Sequence, residues 1–242
     1  VTGNPVRDRY DRFASSELHA DGVYEVVTPG KAYFRARKLE TAVRMGRFPP
    51  GARLLEVGCS VGQFTFPLAE RGYAMHGVDL SGNSIEVARK RAAGRPGRGL
   101  TFSVADAERL DFPDGSFDGA LSFSTLRYVP DLPRALSQIR RVIKPDGRVV
   151  LDFPNRFCPW FYLKPWLGSE RHPNDRWFTA EELRRLFREA GFEQVRVETI
   201  LFTPTVAPAR LLPAFRLLDR LGERVPGLRR LAGILMVAAV RR

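Results

Sequence analysis

Cysteine, lysine and long apolar runs are all scarce in this chain, and each scarcity narrows what it can be. The two cysteines, Cys59 and Cys158, in 242 residues cannot build a disulfide framework or a paired metal site. With no carboxylate cluster in the sequence either, no metal centre is expected. The longest apolar run, Ala232 to Val240, falls far short of the ~20 residues that a membrane-crossing helix needs. The opening residues, Val1-Thr-Gly-Asn-Pro5, lead into charge rather than an apolar stretch. No signal peptide is therefore expected, and a cytoplasmic location is the default expectation. Internal repeats and low-complexity segments are also missing.

Only five of the 39 basic residues are lysine (Lys31, Lys38, Lys90, Lys144 and Lys164), which leaves 34 arginines. An arginine bias of this kind is what a GC-rich, bacterial coding sequence produces. The net charge is +12, which suits an anionic partner: nucleic acid, a membrane surface or an acidic substrate. Arginines scattered over an ordinary surface would give the same total. Hydrophobic residues make up 44% and charged residues 27%, as in a soluble globular domain able to bury a substantial core.

The most informative stretch is Arg53-Leu-Leu-Glu-Val-Gly-Cys-Ser-Val-Gly62. It reads as a short buried strand, Leu54 to Val57, running into a glycine-bearing turn and then a helix from about Gln63 to Arg71. This is how α/β folds build a cofactor site at the carboxyl end of a strand. Gly58 and Gly62 permit a tight backbone and close ligand approach, and free N–H groups at the helix start can face a polar ligand. Asp79 closes the next strand about 20 residues on, where a carboxylate can accept hydrogen bonds from a ribose diol. Two nucleotide-cofactor families use this layout. The dinucleotide fingerprint G-x-G-x-x-G is not met, because Cys59, Ser60 and Val61 separate the two glycines.

The stretch instead resembles motif I of the class I S-adenosylmethionine-dependent methyltransferases, an acidic-x-G-x-G-x-G pattern. Glu56, Gly58 and Gly62 match, and Ser60 stands where the family usually has its middle glycine. Further along, Asp106-Ala107 follows the strand Leu100–Ala105. Phe112-Pro-Asp-Gly-Ser-Phe-Asp118 resembles the family's link into its fourth strand, Phe117–Ser124, and Lys144-Pro-Asp-Gly147 its turn into the fifth, Arg148–Phe153. The resemblance runs from about Arg53 to Phe153. It implies a Rossmann-like α/β fold: a seven-stranded, mostly parallel sheet, helices on both faces and a helical or loop lid. It also implies S-adenosyl-L-methionine as cofactor, held by Glu56, Gly58, Cys59, Ser60, Gly62, Asp79, Leu80, Asp106, Ala107 and Ser124. Asp79 is then expected on the ribose and Asp106 on the adenine amino group.

The remaining segments fit around that core. Residues 1–50 are expected to form an N-terminal helical cap, with a helix from Tyr33 to Phe48. The methyltransferase domain would span 51–242, with lid insertions at about 154–178 and 203–230. Leu132, Leu136, Ile139 and Ile143 recur at helical spacing as a core stripe. Thr179-Ala-Glu-Glu182 is a capping box, Phe192–Phe202 a sixth strand, and Ala232–Val240 a final strand buried on both faces. The first insertion is dense in aromatics, so Phe157, Trp160, Phe161 and Trp166 are expected to line an apolar acceptor pocket. In the second, Leu211, Phe215 and Leu218 share one helical face and Arg216, Arg220 and Arg224 another. Such a helix can cap the active site or lie on an anionic membrane.

No Asn/Asp-Pro-Pro-aromatic motif follows strand four, so a nucleic-acid amino group is not the expected acceptor. The expectation is O-methylation of a hydrophobic or aromatic small molecule. The alternatives are a lipid or quinone-like acceptor methylated on carbon or oxygen at a membrane surface, or a catalytically silent cofactor-binding partner protein. Among the three histidines, His76 falls in a strand and His19 in the N-terminal segment. His172, beyond strand five, is the candidate acid/base residue, and Tyr128 is the alternative. The sequence does not set the oligomeric state.

Overall fold

The computed structural model describes residues 28–94, 99–163, 175–204 and 207–242. His19, His172 and Trp166 lie outside the described residues, as does the Phe161 side chain. Seven strands form one sheet: β1 Arg53–Val57, β2 Ala74–Asp79, β3 Thr101–Val104, β4 Phe117–Ser122, β5 Ile143–Pro154, β6 Phe192–Ile200 and β7 Ile234–Arg241. Their order across the sheet is β3-β2-β1-β4-β5-β7-β6. The pairs from β3 through β5 are parallel, and β7 is antiparallel to both β5 and β6. The helices are α1 Pro29–Gly46, α2 Thr65–Glu70, α3 Gly82–Ala93, α4 Leu132–Val142, α5 Pro159–Leu163, α6 Ala180–Glu189, α7 Leu212–Gly222 and α8 Pro226–Arg229.

The period of two along each strand sends alternate residues to opposite sides of the sheet. Leu55, Val57, Val149 and Leu151 pack with Leu136 and Ile139 of α4 and Leu183 and Phe187 of α6. Leu54, Leu121 and Val150 face the other way, onto Leu39 and Ala42 of α1 and Leu68 of α2. The stripe on α4 is fully buried, and truncating one of its leucines to alanine would cost about 2–5 kcal/mol. Strand β7, apolar up to its final Arg241, is sandwiched between β5 and β6 with all but that last residue buried.

Local chemistry fixes the helix starts. Thr28 caps α1, accepting from the Lys31 N–H at 3.2 Å ahead of a proline in the first turn. Ser81 caps α3 through the Ser84 N–H, and Asp131 caps α4 through the Arg134 N–H. The capping box at α6 is reciprocal: Thr179 N–H donates to Glu182 Oε2 at 2.7 Å, and Glu182 N–H donates to Thr179 Oγ1 at 3.2 Å.

The structure departs from the sequence reading at several places. Helix α1 begins at Pro29 and stops at Gly46, where Arg47 takes a left-handed conformation with φ 48°. Helix α2 begins at Thr65, and residues 60–64 remain a turn. Strand β5 starts at Ile143; the turn at Lys144–Gly147 is a bulge within it, with Asp146 at φ 60° and a register shift opposite Phe117 and Gly119. In α7 the apolar face expected from Leu211, Phe215 and Leu218 does not exist as one surface. Phe215 turns toward Trp160, while Leu211 and Leu218 are exposed.

Candidate functional site

The strand order reverses at β1, which has β2 on one side and β4 on the other. A crevice opens at the carboxyl ends of strands at such a point. Here it is a cavity of about 520 Å³, walled by residues from α1, the ends of β1, β2, β3 and β4, and the turns that follow them.

Its floor is the turn after β1. The N–H groups of Gly58 and Cys59 both donate to Val78 O, at 2.7 and 2.9 Å, which folds the turn over β2. Gly58 sits at φ 78°, and a Cβ there would lie 2.1 Å from Thr125. Ser60 also takes a left-handed conformation, φ 49°, where a side chain is costly. Its N–H is held by Asp79 Oδ2 at 2.8 Å, and the Ser81 N–H by Asp79 Oδ1 at 2.9 Å. Asp79 thus shapes the turn from the cavity wall. Gly62 does not line the cavity; its open side is filled by Phe66.

The sequence-derived residues Glu56, Gly58, Cys59, Ser60, Asp79, Leu80, Asp106, Ala107, Ser124 and Tyr128 all lie in the cavity wall. Asp106 also caps its own loop, accepting from the Glu108 N–H at 2.9 Å. Glu56 is buried and receives the Thr65 hydroxyl at 2.5 Å. Burial pushes its carboxyl up to about 8, with Asp79 adding to the shift, so Glu56 favours the neutral form. Burial likewise pushes the Cys59 thiol well above its usual value, which leaves it inert. His76, in β2 between Thr101 and Ser103, is lowered to about 4 by burial and by Arg53 and Arg89. It stays neutral in the fold.

Sequence reasoning missed a polar cluster beside this floor. Lys38 of α1 is 1% exposed. Its Nζ pairs with the buried Asp152 carboxylate and donates to Ser124 Oγ at 2.7 Å. Asp152 Oδ1 accepts from the Ser124 N–H at 2.5 Å, which fixes Ser124 at φ 56°. Three rings surround the ammonium, with Phe34, Phe64 and Phe123 centroids 5.5, 5.4 and 5.7 Å away. Phe64 and Phe123 stack on each other at 4.0 Å. These rings, with Tyr128, form the aromatic part of the wall. Also missed was Gln63, whose buried Nε2 has no hydrogen-bond partner among the described residues and which lines the same cavity.

Of the aromatic insertion's expected wall residues, the two described ones are placed elsewhere. Phe157 is exposed, and Trp160 donates its Nε1–H to Phe202 O at 2.7 Å while packing against Phe215. Neither lines the cavity, whose described wall comes only from residues 31–130. The Arg127 Nε–H donates to Asp175 Oδ1 at 2.5 Å, tying the turn after β4 to the end of the first insertion. Among the described residues, no group of His, Cys, Asp or Glu side chains could hold a metal ion, and no helix is long and apolar enough to cross a membrane.

Comparison with known proteins agrees with this architecture. A family model described as "Methyltransferase domain" matches residues 55–151. The demethylmenaquinone methyltransferase of Symbiobacterium thermophilum is 30% identical over 233 residues, covering 84% of this chain and 90% of that protein. The ubiquinone biosynthesis O-methyltransferase of Idiomarina loihiensis is 29% identical over 163 residues, covering 64% of this chain and 67% of that one. Among solved structures, an S-adenosylmethionine-dependent methyltransferase of Thermotoga maritima, described as a possible histamine N-methyltransferase, superposes with a TM-score of 0.68. It is 24% identical, and the match covers 98% of this chain and 99% of that one. The glycine turn at a carboxyl-end crevice, the antiparallel β7 and these matches converge: the chain belongs to the class I S-adenosylmethionine-dependent methyltransferases.

Proposed function

We propose that this enzyme transfers the cofactor's methyl group to an oxygen of a hydrophobic or aromatic small molecule. The observation that carries the reading is the aromatic side of the cavity. Phe34, Phe64, Phe123 and Tyr128 offer flat apolar surface, which a planar acceptor can stack upon.

The opposite side suits S-adenosylmethionine. Carboxyl groups of Glu56, Asp79, Asp106 and Glu108 line it, and the unpartnered Gln63 Nε2 supplies a donor for a carboxylate. In this reading Asp79 accepts from the ribose hydroxyls, and Asp106 accepts from the adenine amino group. The turn residues Gly58, Cys59 and Ser60 approach the ligand through backbone, with Leu80, Ala107 and Ser124 completing the contacts. When bound, the cofactor provides a methyl on a cationic sulfur that is already a good leaving group. The chain therefore contributes chiefly alignment, which can supply about 7–11 kcal/mol of the barrier. A hydroxyl acceptor must also lose its proton. His172 is the proposed base, because an imidazole titrates near neutral pH in general, and Tyr128 in the cavity wall is its alternative.

A second reading, a quinone-like acceptor methylated on carbon or oxygen, is favoured by the names of the two relatives above. Both readings exclude nucleic acid as the acceptor. The test is a mass-spectrometric search for one added methyl, with isotopically labelled cofactor and separate panels of phenols, hydroquinones, polar amines and RNA. Methylated phenols or hydroquinones are expected. Turnover confined to polar amines or RNA would overturn the proposal.

A further inference from the structure

Helices α7 and α8 distribute their side chains against the usual rule for a helix on a protein surface. The side of α7 turned to the protein carries a carboxylate. Asp219 is fully buried and accepts from the Phe202 N–H at 2.5 Å, the Thr203 N–H at 3.1 Å and the Thr203 hydroxyl at 2.6 Å. One turn later, Glu223 accepts from the Leu201 N–H at 2.9 Å and from Arg37 at 2.5 Å. Leu212 is buried at the start of α7, but the later leucines point outward. Leu217, Leu218 and Leu221 are 55%, 43% and 54% exposed, and Val225, Leu228 and Leu231 continue the exposed series along the next turn and α8. A run of this length is not the scatter of single apolar residues that any surface shows.

The charged residues of the segment are equally one-sided. Arg210, Arg216, Arg220, Arg224, Arg229 and Arg230 are all exposed. The only acidic residues among them in sequence, Asp219 and Glu223, are the two turned inward. The surface of 209–231 is therefore aliphatic and cationic, with no exposed carboxylate. We propose that this face seats the enzyme on an anionic lipid surface, with the leucines at the boundary of headgroups and acyl chains and the arginines on lipid phosphates.

Charge decides against the rival occupants. A second copy related by two-fold symmetry would bring the same patch onto itself, arginine against arginine. A protein partner is disfavoured because the exposed apolar residues are all aliphatic, without the tyrosine, tryptophan and methionine typical of protein interfaces. The docked face would adjoin the cavity. Arg216 lies over the Tyr33 ring at 5.0 Å, and Glu223 holds Arg37. Both partners are on α1, whose Phe34 and Lys38 line the cavity. The inference goes beyond the acceptor assignment and holds whichever small molecule is methylated.

Co-sedimentation with vesicles tests it. One set would be phosphatidylcholine alone, and the other two parts phosphatidylcholine to one part phosphatidylglycerol. The protein should pellet with the second set, not the first, and be released by added salt. Leu217→Ser/Leu221→Ser should lower the partition coefficient at least tenfold. Arg220→Gln/Arg224→Gln should lower it about fivefold for each charge removed. Both variants should keep the parent's affinity for S-adenosylhomocysteine, which shows that the fold and the cofactor site are intact. Failure to bind anionic vesicles would overturn the proposal. So would binding unchanged in both variants, or a solution dimer that the leucine variant dissociates.

Discussion

Lys38→Met should be among the most damaging single substitutions outside the apolar core. Methionine retains much of the aliphatic stem and its packing, so little cavity is opened. What it removes is the counter-charge that Lys38 gives the Asp152 carboxylate, which is 2% exposed. Removing one member of a buried ion pair costs about 3–5 kcal/mol, because the other charge stays buried without compensation. A domain holds only about 5–15 kcal/mol in total. Asp152→Asn should cost a similar amount by stranding the ammonium among Phe34, Phe64 and Phe123. The double variant Lys38→Met/Asp152→Asn behaves differently. It carries neither charge, and the asparagine oxygen can still accept the Ser124 N–H that Asp152 now holds at 2.5 Å. Its loss should be about 1–2 kcal/mol, so the two single losses should exceed the double by about 3 kcal/mol or more. Urea unfolding of the four proteins at neutral pH measures this directly. Lys38→Met should also bind S-adenosylhomocysteine less tightly, because Ser124 Oγ, in the cavity wall, loses the ammonium that donates to it at 2.7 Å. Single losses below about 1 kcal/mol each, or losses that simply add, would refute the reasoning.

The other predictions concern the opposite side of the cavity. Glu56 has a folded value near 8 against an ordinary 4.5, so the folded protein holds this proton more tightly than the unfolded chain. That contribution is complete below pH 4.5 and is lost as pH rises through 8, at up to about 1.4 kcal/mol per pH unit. Unfolding across this window should show the decline in the cofactor-free parent and a flatter profile in Glu56→Gln; parallel profiles would contradict it. Asp79→Ala should weaken S-adenosylhomocysteine binding by about 1.5–3 kcal/mol in calorimetry, and the parent should not bind NAD; unchanged affinity would remove Asp79 from the ribose. Ser60→Gly should raise stability by up to about 1 kcal/mol in thermal melts, because glycine occupies φ 49° without strain; a fall would show that the serine side chain is needed. His172→Ala should lower turnover and shift its pH profile more than Tyr128→Phe does, and the reverse ranking would transfer the base to Tyr128.

The parts of the site that were legible in the sequence are those whose signal is local. The glycine turn, Asp79 and Asp106 each sit at the end of a strand whose apolar run can be read directly, and the parallel topology then brings the strand ends together. Lys38, Asp152 and Gln63 carry no such signal. Lys38 occupies one position of an amphipathic helix where a lysine ordinarily reaches water. Asp152 reads as a polar residue near a strand end. Their meeting depends on α1 packing across β5, a contact between segments more than a hundred residues apart. Trp160 of the aromatic insertion misled in the opposite direction. The insertion's density of rings suggested a pocket wall, but Trp160 uses its N–H on Phe202 O and its ring on Phe215, so it joins the two insertions to each other.

Helix α7 shows why periodicity alone could not say which of its faces points inward. A leucine face and a polar face are both evident, and the burial rule sends the leucines to the core. The choice is made instead by what lies beneath. Strand β6 ends at Ile200, and Leu201 takes a left-handed conformation with φ 68°, which leaves the N–H groups of 201, 202 and 203 outside the sheet ladder. Each would cost about 1–3 kcal/mol if buried without an acceptor. Asp219 and Glu223 satisfy all three, along with the Thr203 hydroxyl. That requirement fixes the rotation of α7, and with it the outward position of Leu217, Leu218 and Leu221. Each leucine kept from an apolar environment forgoes about 1.5–3 kcal/mol. The same geometry that closes the end of β6 therefore holds apolar area in reserve on the outside, and contact with lipid is where that area would be recovered.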